Sequence, residues 1–556
     1  MMSQRKKSNT SFLLQGSILA AASLLSRIIG MFYRLPVTNI IGDVGNDYYS
    51  CAFEIYNIFL LISSFSLPLA VSKLVSARIS RGEKTNAFRI VKGAFVFAAL
   101  SGSAAALIVY FGAEYITDLL KTPMAVYALK VLSPTLVIVA ILGVLRGYFQ
   151  GLGSMVPSAI SQVIEQIINA LVSMGAAYYL FGYGKKVGDA LGSPDKFAAA
   201  YGAAGSTLGT CAGALAGFIF LLFVFFAYRT ALGRRKGRER RVETESYGEV
   251  AKIILLTILP VLLSTTIYNI SGILDQGIFK NLVLLKGYSK DEEEVLWGIF
   301  SGKYKLLINV PISIASALAA SCVPNLAASY ANRRMDVVRS QIQAAMRFNM
   351  IIVFPCTVGM GVLASPIMQL LLKDSSRQTE LMLQMGAVAI LFFSISTLSN
   401  GILQGINRMR QPVTNAAIAL MGHLLVLVLF LWVFDLNIYA VIHANTLFAL
   451  FMCILNGISI KKYSGYVMDV VHVFVLPGIS SLIMGVCVYF SYKGLFNATE
   501  SNTISTMLSI FAGVCVYGIC MLKGGLTEEE ILKFPKGAVI VRLAKKLHLM
   551  KKDDYI

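Results

Sequence analysis

Arg27 and Arg34 stand seven residues apart in SRIIGMFYRLP, directly behind the apolar run FLLQGSILAAASLL. Seven residues make two helical turns, so both guanidinium groups leave nearly the same helix face about 10 Å apart. An arginine near the middle of a membrane helix costs on the order of 3 kcal/mol on insertion scales, and such charges normally face a cavity or a partner rather than lipid. Guanidinium groups grip phosphate in a bidentate way, and low-dielectric walls strengthen the attraction. Other charges lie at similar depth: Glu54 in the second apolar run, Asp275 in GILDQGIF, and Lys303 and Lys305 in SGKYKLLINVP. A chamber walled by Arg27, Arg34, Lys303 and Lys305 would be net positive and suited to a phosphate-bearing anion.

Each candidate also has a plainer reading. Arg34, Lys303 and Lys305 lie near an interface and can snorkel toward it. Arg27 is too deep for that, and its plainer reading is an internal ion pair with Glu54 or Asp275. Asp275 and Glu165, the latter flanked by Gln162 and Gln166 in SQVIEQ, suit a coupling proton or sodium ion, or neutralise a cavity cation. Asp47 in GNDYYS is a gating candidate at the outer entrance, against the plainer reading of a solvated loop acid. Lys73 and Arg146 read as boundary residues.

The elements that position these side chains follow from composition. With 56% hydrophobic and 14% charged residues and a mean hydropathy of +0.70, the 556-residue chain is too apolar for a soluble globular protein, in which about 25% of residues are charged. It reads as all-α and polytopic. Fourteen runs reach the roughly 20 residues needed to span hydrocarbon as a helix. They fall at about 12–37, 50–74, 90–112, 125–146, 156–181, 198–228, 250–280, 296–328, 343–372, 379–403, 412–434, 437–460, 470–492 and 503–522. Alternate loops are basic (Arg78, Arg81 and Lys84; Arg234 to Arg241; Arg333 and Arg334; Lys461 and Lys462) or acidic (Asp43 and Asp47; Glu114 and Asp118; Asp291 to Glu294). Lys and Arg accumulate on the cytoplasmic side, so both termini are expected there. The same distribution explains the +20 net charge without nucleic acid. Residues 229–249 form a basic cytoplasmic linker suited to anionic lipid.

RGYFQGLGSMVP (146–157) and NGILQGINRMRQP (400–412) share G-x-x-Q-G, a Met-bearing turn and a helix-opening Pro, six spans apart. LPLAVSKLVSA (67–77) matches SCVPNLAAS (321–329) more weakly. An even offset gives a parallel repeat: a six-helix bundle in 1–228, a second in 250–460 related to it by pseudo-two-fold symmetry, two extra helices in 461–522 and a basic tail in 523–556. The eight cysteines and four histidines lack metal-type spacing, and His423 and His443 read as helix contacts. No Walker, HExxH or GxSxG motif occurs. A catalytic role, a metal centre and a cofactor are therefore not expected, and the membrane potential with sodium or proton exchange is the expected energy source.

SRIIGMFYR, GNDYYSCAFEIYN, SGKYKLLINVP, RGYFQG and SQVIEQ together resemble the lipid-linked oligosaccharide and polysaccharide exporters of the MATE-like superfamily, over nearly the whole chain. The pattern is similar to the lipid II flippases and closer to the branch of sporulation protein B. The resemblance implies that the first, second, seventh and eighth helices line a cationic cavity for a pyrophosphate-sugar head, with a groove for the polyprenyl tail along the last two helices. Arg27 matches the family's first cavity arginine. Arg34 falls one position late against the second, and Lys305 or Lys303 stands where an arginine is common. The arginine pair of some second helices is missing from IFLLISSFS. The expected activity is alternating-access translocation, by a monomer, of a polyprenyl-pyrophosphate glycan, with lipid II ahead of capsule or teichoic precursors and cell-wall synthesis proteins as partners. A MATE-like cation antiporter, which requires a net acidic cavity, is the rival.

Overall fold

The computed structural model describes residues 2–65, 67–233 and 270–524, with short pieces between and beyond them. Arg234 to Arg241, most of the seventh expected span and most of the tail lie outside the described residues. Every described element is helical, and among the described residues twelve stretches are long and apolar enough to cross a membrane. Fourteen were expected. The first two expected spans are one stretch, Ala21–Ser80, and the seventh falls largely on residues outside the description. The chain is an all-α, multi-pass membrane protein.

Two compact units divide it: Met1–Leu306 with Val413–Ala444, and Leu307–Pro412 with Asn445–Ile556. In the first, α1 (Met2–Leu60) runs through Pro36 and breaks once, at Gly42, where φ is +69°. Only glycine holds that backbone without a Cβ penalty. The loop expected near 38–49 is thus a bend inside one long helix, and it turns Asp43 and Asp47 inward. A π-turn (Leu61–Phe65) follows, then α2 (Leu67–Ser80), α3 (Lys84–Leu119), α4 (Val126–Gly151), α5 (Val156–Leu191) and α6 (Pro194–Gly233). Beyond them come α7 (Ser271–Leu285), α8 (Lys290–Ile299) and a second π-turn, Phe300–Tyr304. Ser289 opens α8 with a reciprocal cap to Glu292, and Asp291, Glu292 and Glu293 complement the positive end of its dipole.

Small residues let these helices touch backbone to backbone, the way membrane helices associate without a hydrophobic drive between them. Gly205, Gly209, Gly213 and Gly217 bring α6 against α5 at Ala176, Ser173, Asn169 and Ser161. Gly143, Gly147 and Gly151 of α4 lie on Pro68, Val71 and Val75 of α2. The second unit repeats that joint. It holds α9 (Lys305–Ala331), α10 (Met335–Val362), α11 (Ala364–Leu372), α12 (Arg377–Gly386) and α13 (Val388–Gly405), and Gly401 and Gly405 of α13 lie on Ala319 and Leu326 of α9. The two G-x-x-Q-G copies seen in sequence therefore place their glycines against equivalent partners, one pair in each unit. α14 (Arg410–Trp432) belongs mainly to the first unit; α15 (Ile438–Ser464), α16 (Leu476–Thr499) and α17 (Asn502–Lys523) belong to the second.

Candidate functional site

The Gly42 bend is organised by Asn46, which is fully buried. Its Nδ2 donates to the carbonyls of Gly42 (2.7 Å) and Thr38 (3.2 Å), and its Oδ1 accepts from Thr38 Oγ1 and from Arg34 Nη2, each at 3.3 Å. The Arg34 guanidinium also lies over the Tyr49 ring, 3.5 Å from its centroid. Its Nη1 is buried without a hydrogen-bond partner. Arg34 is thus held by a neutral amide and an aromatic face, and its positive charge meets no carboxylate among the described residues.

Asn46 is also where the second strip of cations joins. Gly302, inside the π-turn, abuts the Asn46 side chain so closely that no Cβ would fit, and its carbonyl accepts from Thr38 Oγ1. The wide turn then presents two lysines in different states. Lys303 is 8% exposed and pairs with Asp43 at 2.7 Å. Lys305 is about one-third exposed, 3.7 Å from Glu54 Oε1 and 5.1 Å from the Phe300 ring. A pair this loose and wet contributes at most about 1 kcal/mol, so Lys305 is available to another anion. Glu54 rests against Gly272 of α7, where a side chain would collide with its carboxylate. Arg34, Lys303, Lys305 and Glu54 thus come together around the bend of α1.

Arg27 lies further back on α1 with an exposed side chain. The internal pair with Glu54 or Asp275 is not formed: Glu54 faces Lys305, and Asp275 is buried in α7 with its Oδ1 2.5 Å from His423 Nε2 of α14. His423 makes a helix contact, as expected. Glu165 accepts from Arg146 Nη2 at 2.7 Å, and Arg146 Nε donates to Ser161 at 3.0 Å, so Arg146 is a partner inside the bundle rather than a boundary residue. Gln162 Oε1 accepts from Ser23 Oγ on α1.

Asp47 is the clearest correction. It is fully buried, not a solvated loop acid, and its Oδ2 receives Lys280 Nζ at 2.7 Å. Lys280 is equally buried; its Nζ also donates to Thr122 Oγ1 (2.8 Å) and forms an ion pair with Glu293 Oε1 at 2.8 Å. Beside this triad Tyr48 donates to Glu294 at 3.0 Å, and Trp297 Nε1 donates to Ser50 at 3.2 Å. Sequence reasoning missed Lys280 because it stands at the end of an apolar run, where a span boundary is the default meaning of a lysine. Glu293 and Glu294 were taken for loop acids, yet of that cluster Asp291 and Glu292 alone lie in the open, Asp291 paired to Lys196 and Glu292 capping α8. The available signal was the heavy apolar content of VLWGIF directly behind the acids.

In the second unit α10, α11, α16 and α17 border a half-open apolar cavity of about 430 Å³, lined among others by Pro355, Met360, Leu363, Met484, Val488 and Val514.

Comparison with known proteins gives these shapes a context. A family described as polysaccharide biosynthesis protein matches residues 13–330. The lipid II flippase MurJ of Bacillus subtilis (strain 168) is 26% identical over 544 residues, covering 94% of this chain and 97% of that protein. Stage V sporulation protein B of the same organism is 28% identical over 333 residues, 59% of this chain and 61% of the other. Among solved structures, a lipid II flippase MurJ in an inward closed conformation superposes with a TM-score of 0.59 at 16% identity, covering 90% of this chain and 97% of that one. An inward-facing multidrug resistance MATE family transporter of the MOP superfamily gives a TM-score of 0.61 at 14% identity, covering 79% of this chain and 96% of that one.

Proposed function

The chain belongs to the polysaccharide biosynthesis protein family, and from that premise we propose that it is a flippase for a polyprenyl-pyrophosphate-linked glycan, with lipid II as the first substrate to test. The observation that carries the reading is the state of Arg34: a guanidinium held at membrane depth by Asn46 and Tyr49, with no carboxylate on it. Such a group retains its attraction for a diphosphate, whereas a carrier of organic cations needs acids in that place. Arg27, exposed on the same helix, and Lys305, only loosely paired, extend the anion-attracting strip.

A pyrophosphate with sugars cannot cross hydrocarbon unaided, because each desolvated charge costs several kcal/mol or more. The head is received by the basic strip while the tail stays in an apolar setting. The cavity among α10, α11, α16 and α17 has the right chemistry for that tail, in keeping with a tail groove along the last two helices. Alternating exposure to the two leaflets completes the cycle. No ATP site is required: a potential negative inside drives an anionic head outward by about 2.3 kcal/mol per charge per 100 mV, and sodium or proton exchange resets the carrier. The basic loops support cytoplasmic termini and contact with anionic lipids; the reading is completed by a bacterial plasma membrane and a monomer working beside cell-wall synthesis proteins.

The test uses purified protein in vesicles with defined lipid-linked sugars, scoring head groups that become accessible on the far side. Lipid II should cross, and Arg27→Ala should abolish both this transfer and complementation of a flippase-depleted strain while still reaching the membrane. Transfer of capsule or teichoic precursors in place of lipid II would reassign the head group. Transfer of organic cations with none of these lipids crossing would overturn the reading.

A further inference from the structure

Resting on the transport reading above, we propose that Lys280 is the positioning residue of a charge lock that holds α8 on α1, and that release of this lock is a gating step of the cycle. The lock joins helices that are distant in sequence: Asp47 on α1, Thr122 ahead of α4, Lys280 on α7 and Glu293 on α8 all meet at one ammonium group.

Three features mark it as a joint made to open rather than a permanent brace. First, it is built from charge in a place that apolar packing would hold better. Lys280, Asp47 and Glu293 are fully buried, one cation faces two carboxylates, and Asp47 Oδ1 and both Glu293 carboxylate oxygens have no hydrogen-bond partner, Oε1 being held by the ion pair alone. Replacing buried ion groups with matched apolar residues often leaves a protein as stable or more so, which makes the ionic version a costly way simply to glue helices. Second, α8 is a short segment between two compliant joints: Gly287, with φ at +92°, on one side, and the π-turn Phe300–Tyr304 on the other. π-turns frequently mark functional positions in helices. Third, the rest of its seat on α1 is separable. Its polar part is two single hydrogen bonds (Tyr48 to Glu294, Ser50 to Trp297), and Gly298 lies flat on the Asp43 carbonyl with no side chain of its own, which leaves the buried Trp297 as the large apolar contact to be withdrawn.

The lock bears on the cations because the π-turn that ends α8 carries Gly302 and Lys303 and leads into Lys305. When α8 leaves α1, Lys303 parts from Asp43, Gly302 from Asn46, and Lys305 changes its distance from Arg34. Lys280 therefore sets the spacing of the anion-binding strip without touching the anion.

Native Cys51 provides the probe: it is buried on α1 beside Lys280 and Asp47. In a chain whose other seven cysteines are replaced, the neutral variant Asp47→Asn/Lys280→Met/Glu293→Gln should reach the membrane at the parental level. Its Cys51 should react with a small hydrophilic maleimide at least tenfold faster, and it should lose at least tenfold in lipid transfer. In a second arm, Ser50→Cys with Trp297→Cys in a background lacking all eight native cysteines, bridged by a short cleavable bifunctional thiol reagent, should stop transfer until the bridge is cleaved. Unchanged Cys51 reactivity, transfer by the neutral variant at the parental rate, or normal transfer by the bridged protein would each overturn the lock. Failure of the flippase reading looks different: the parental protein transfers no lipid, while the Cys51 rates still report whether the lock opens.

Discussion

Replacing Lys280 alone by Met removes the one cation and leaves Asp47 and Glu293 side by side in a dry interior. At an effective dielectric of about 20, each contact of 2.7–2.8 Å carries about 6 kcal/mol of attraction, most of it offset by the desolvation of the three groups. The net cost of breaking a buried pair by deleting one partner is about 3–5 kcal/mol, because an uncompensated charge is left behind. The neutral triple variant leaves no orphaned charge, and its stability should lie within about 1–2 kcal/mol of the parent. Trp297 offers a direct reading. It is 1% exposed and bonded to Ser50, whereas the second tryptophan, Trp432, is 57% exposed and can be changed to Phe. Unfolding followed by Trp297 emission during titration with denaturing detergent should order the proteins parent, triple variant, Lys280→Met, with the last well separated. A Lys280→Met protein within about 1 kcal/mol of the parent, or a triple variant as unstable as the single one, would refute the view that the ammonium group balances these carboxylates.

Arg34→Gln should reduce lipid transfer at least tenfold at unchanged membrane level, and Arg34→Lys should restore only part of it, since an ammonium lacks the bidentate fork; transfer assays on both decide. Exchanging the inner pair as Arg146→Glu with Glu165→Arg should recover most of the membrane level lost in either single change, measured by quantitative blotting, because both side chains sit in one partly buried contact. Gly147→Leu and Gly401→Leu should each destabilise their helix pair by about 1–3 kcal/mol through overpacking, visible as lowered thermal stability in detergent. Gly359→Leu, whose added Cβ would meet only the Met484 methyl at 3.9 Å, should fill the apolar cavity of the second unit and slow transfer of a long-tailed lipid while sparing a short-tailed analogue, compared in the vesicle assay.

The broad architecture was legible because it depends on local quantities. Apolar length marks a span wherever it occurs, and the paired G-x-x-Q-G segments announced a repeat whose glycines do pack against equivalent helices. Arg34, Lys303 and Lys305 stood out in the sequence because a charge inside an apolar run is conspicuous without knowing its neighbours. Asp47 and Lys280 were not, and the reason is geometric. An acid beside a glycine-rich turn and a lysine at a span end have the same local signature whether they meet water or each other, and 233 residues separate this pair. Asp275 was read as a cavity wall for the same reason, its partner His423 being 148 residues away. The single break in α1 was likewise invisible, since Gly42 reads as an ordinary loop glycine until the helix is seen to resume directly behind it.

The glycine stripe between α5 and α6 bears on how the protein is made. The two helices are consecutive, joined by a two-residue connection at Gly192 and Ser193, and they meet through close backbone approach along most of their length. All of the groups needed for that contact have left the ribosome once Gly217 emerges, before any residue of the second unit has been synthesised. The hairpin can therefore zip shut during insertion and serve as a finished template on which later helices settle, so that lesions in the stripe should show up as early losses in biogenesis rather than as slow transport by a mature carrier.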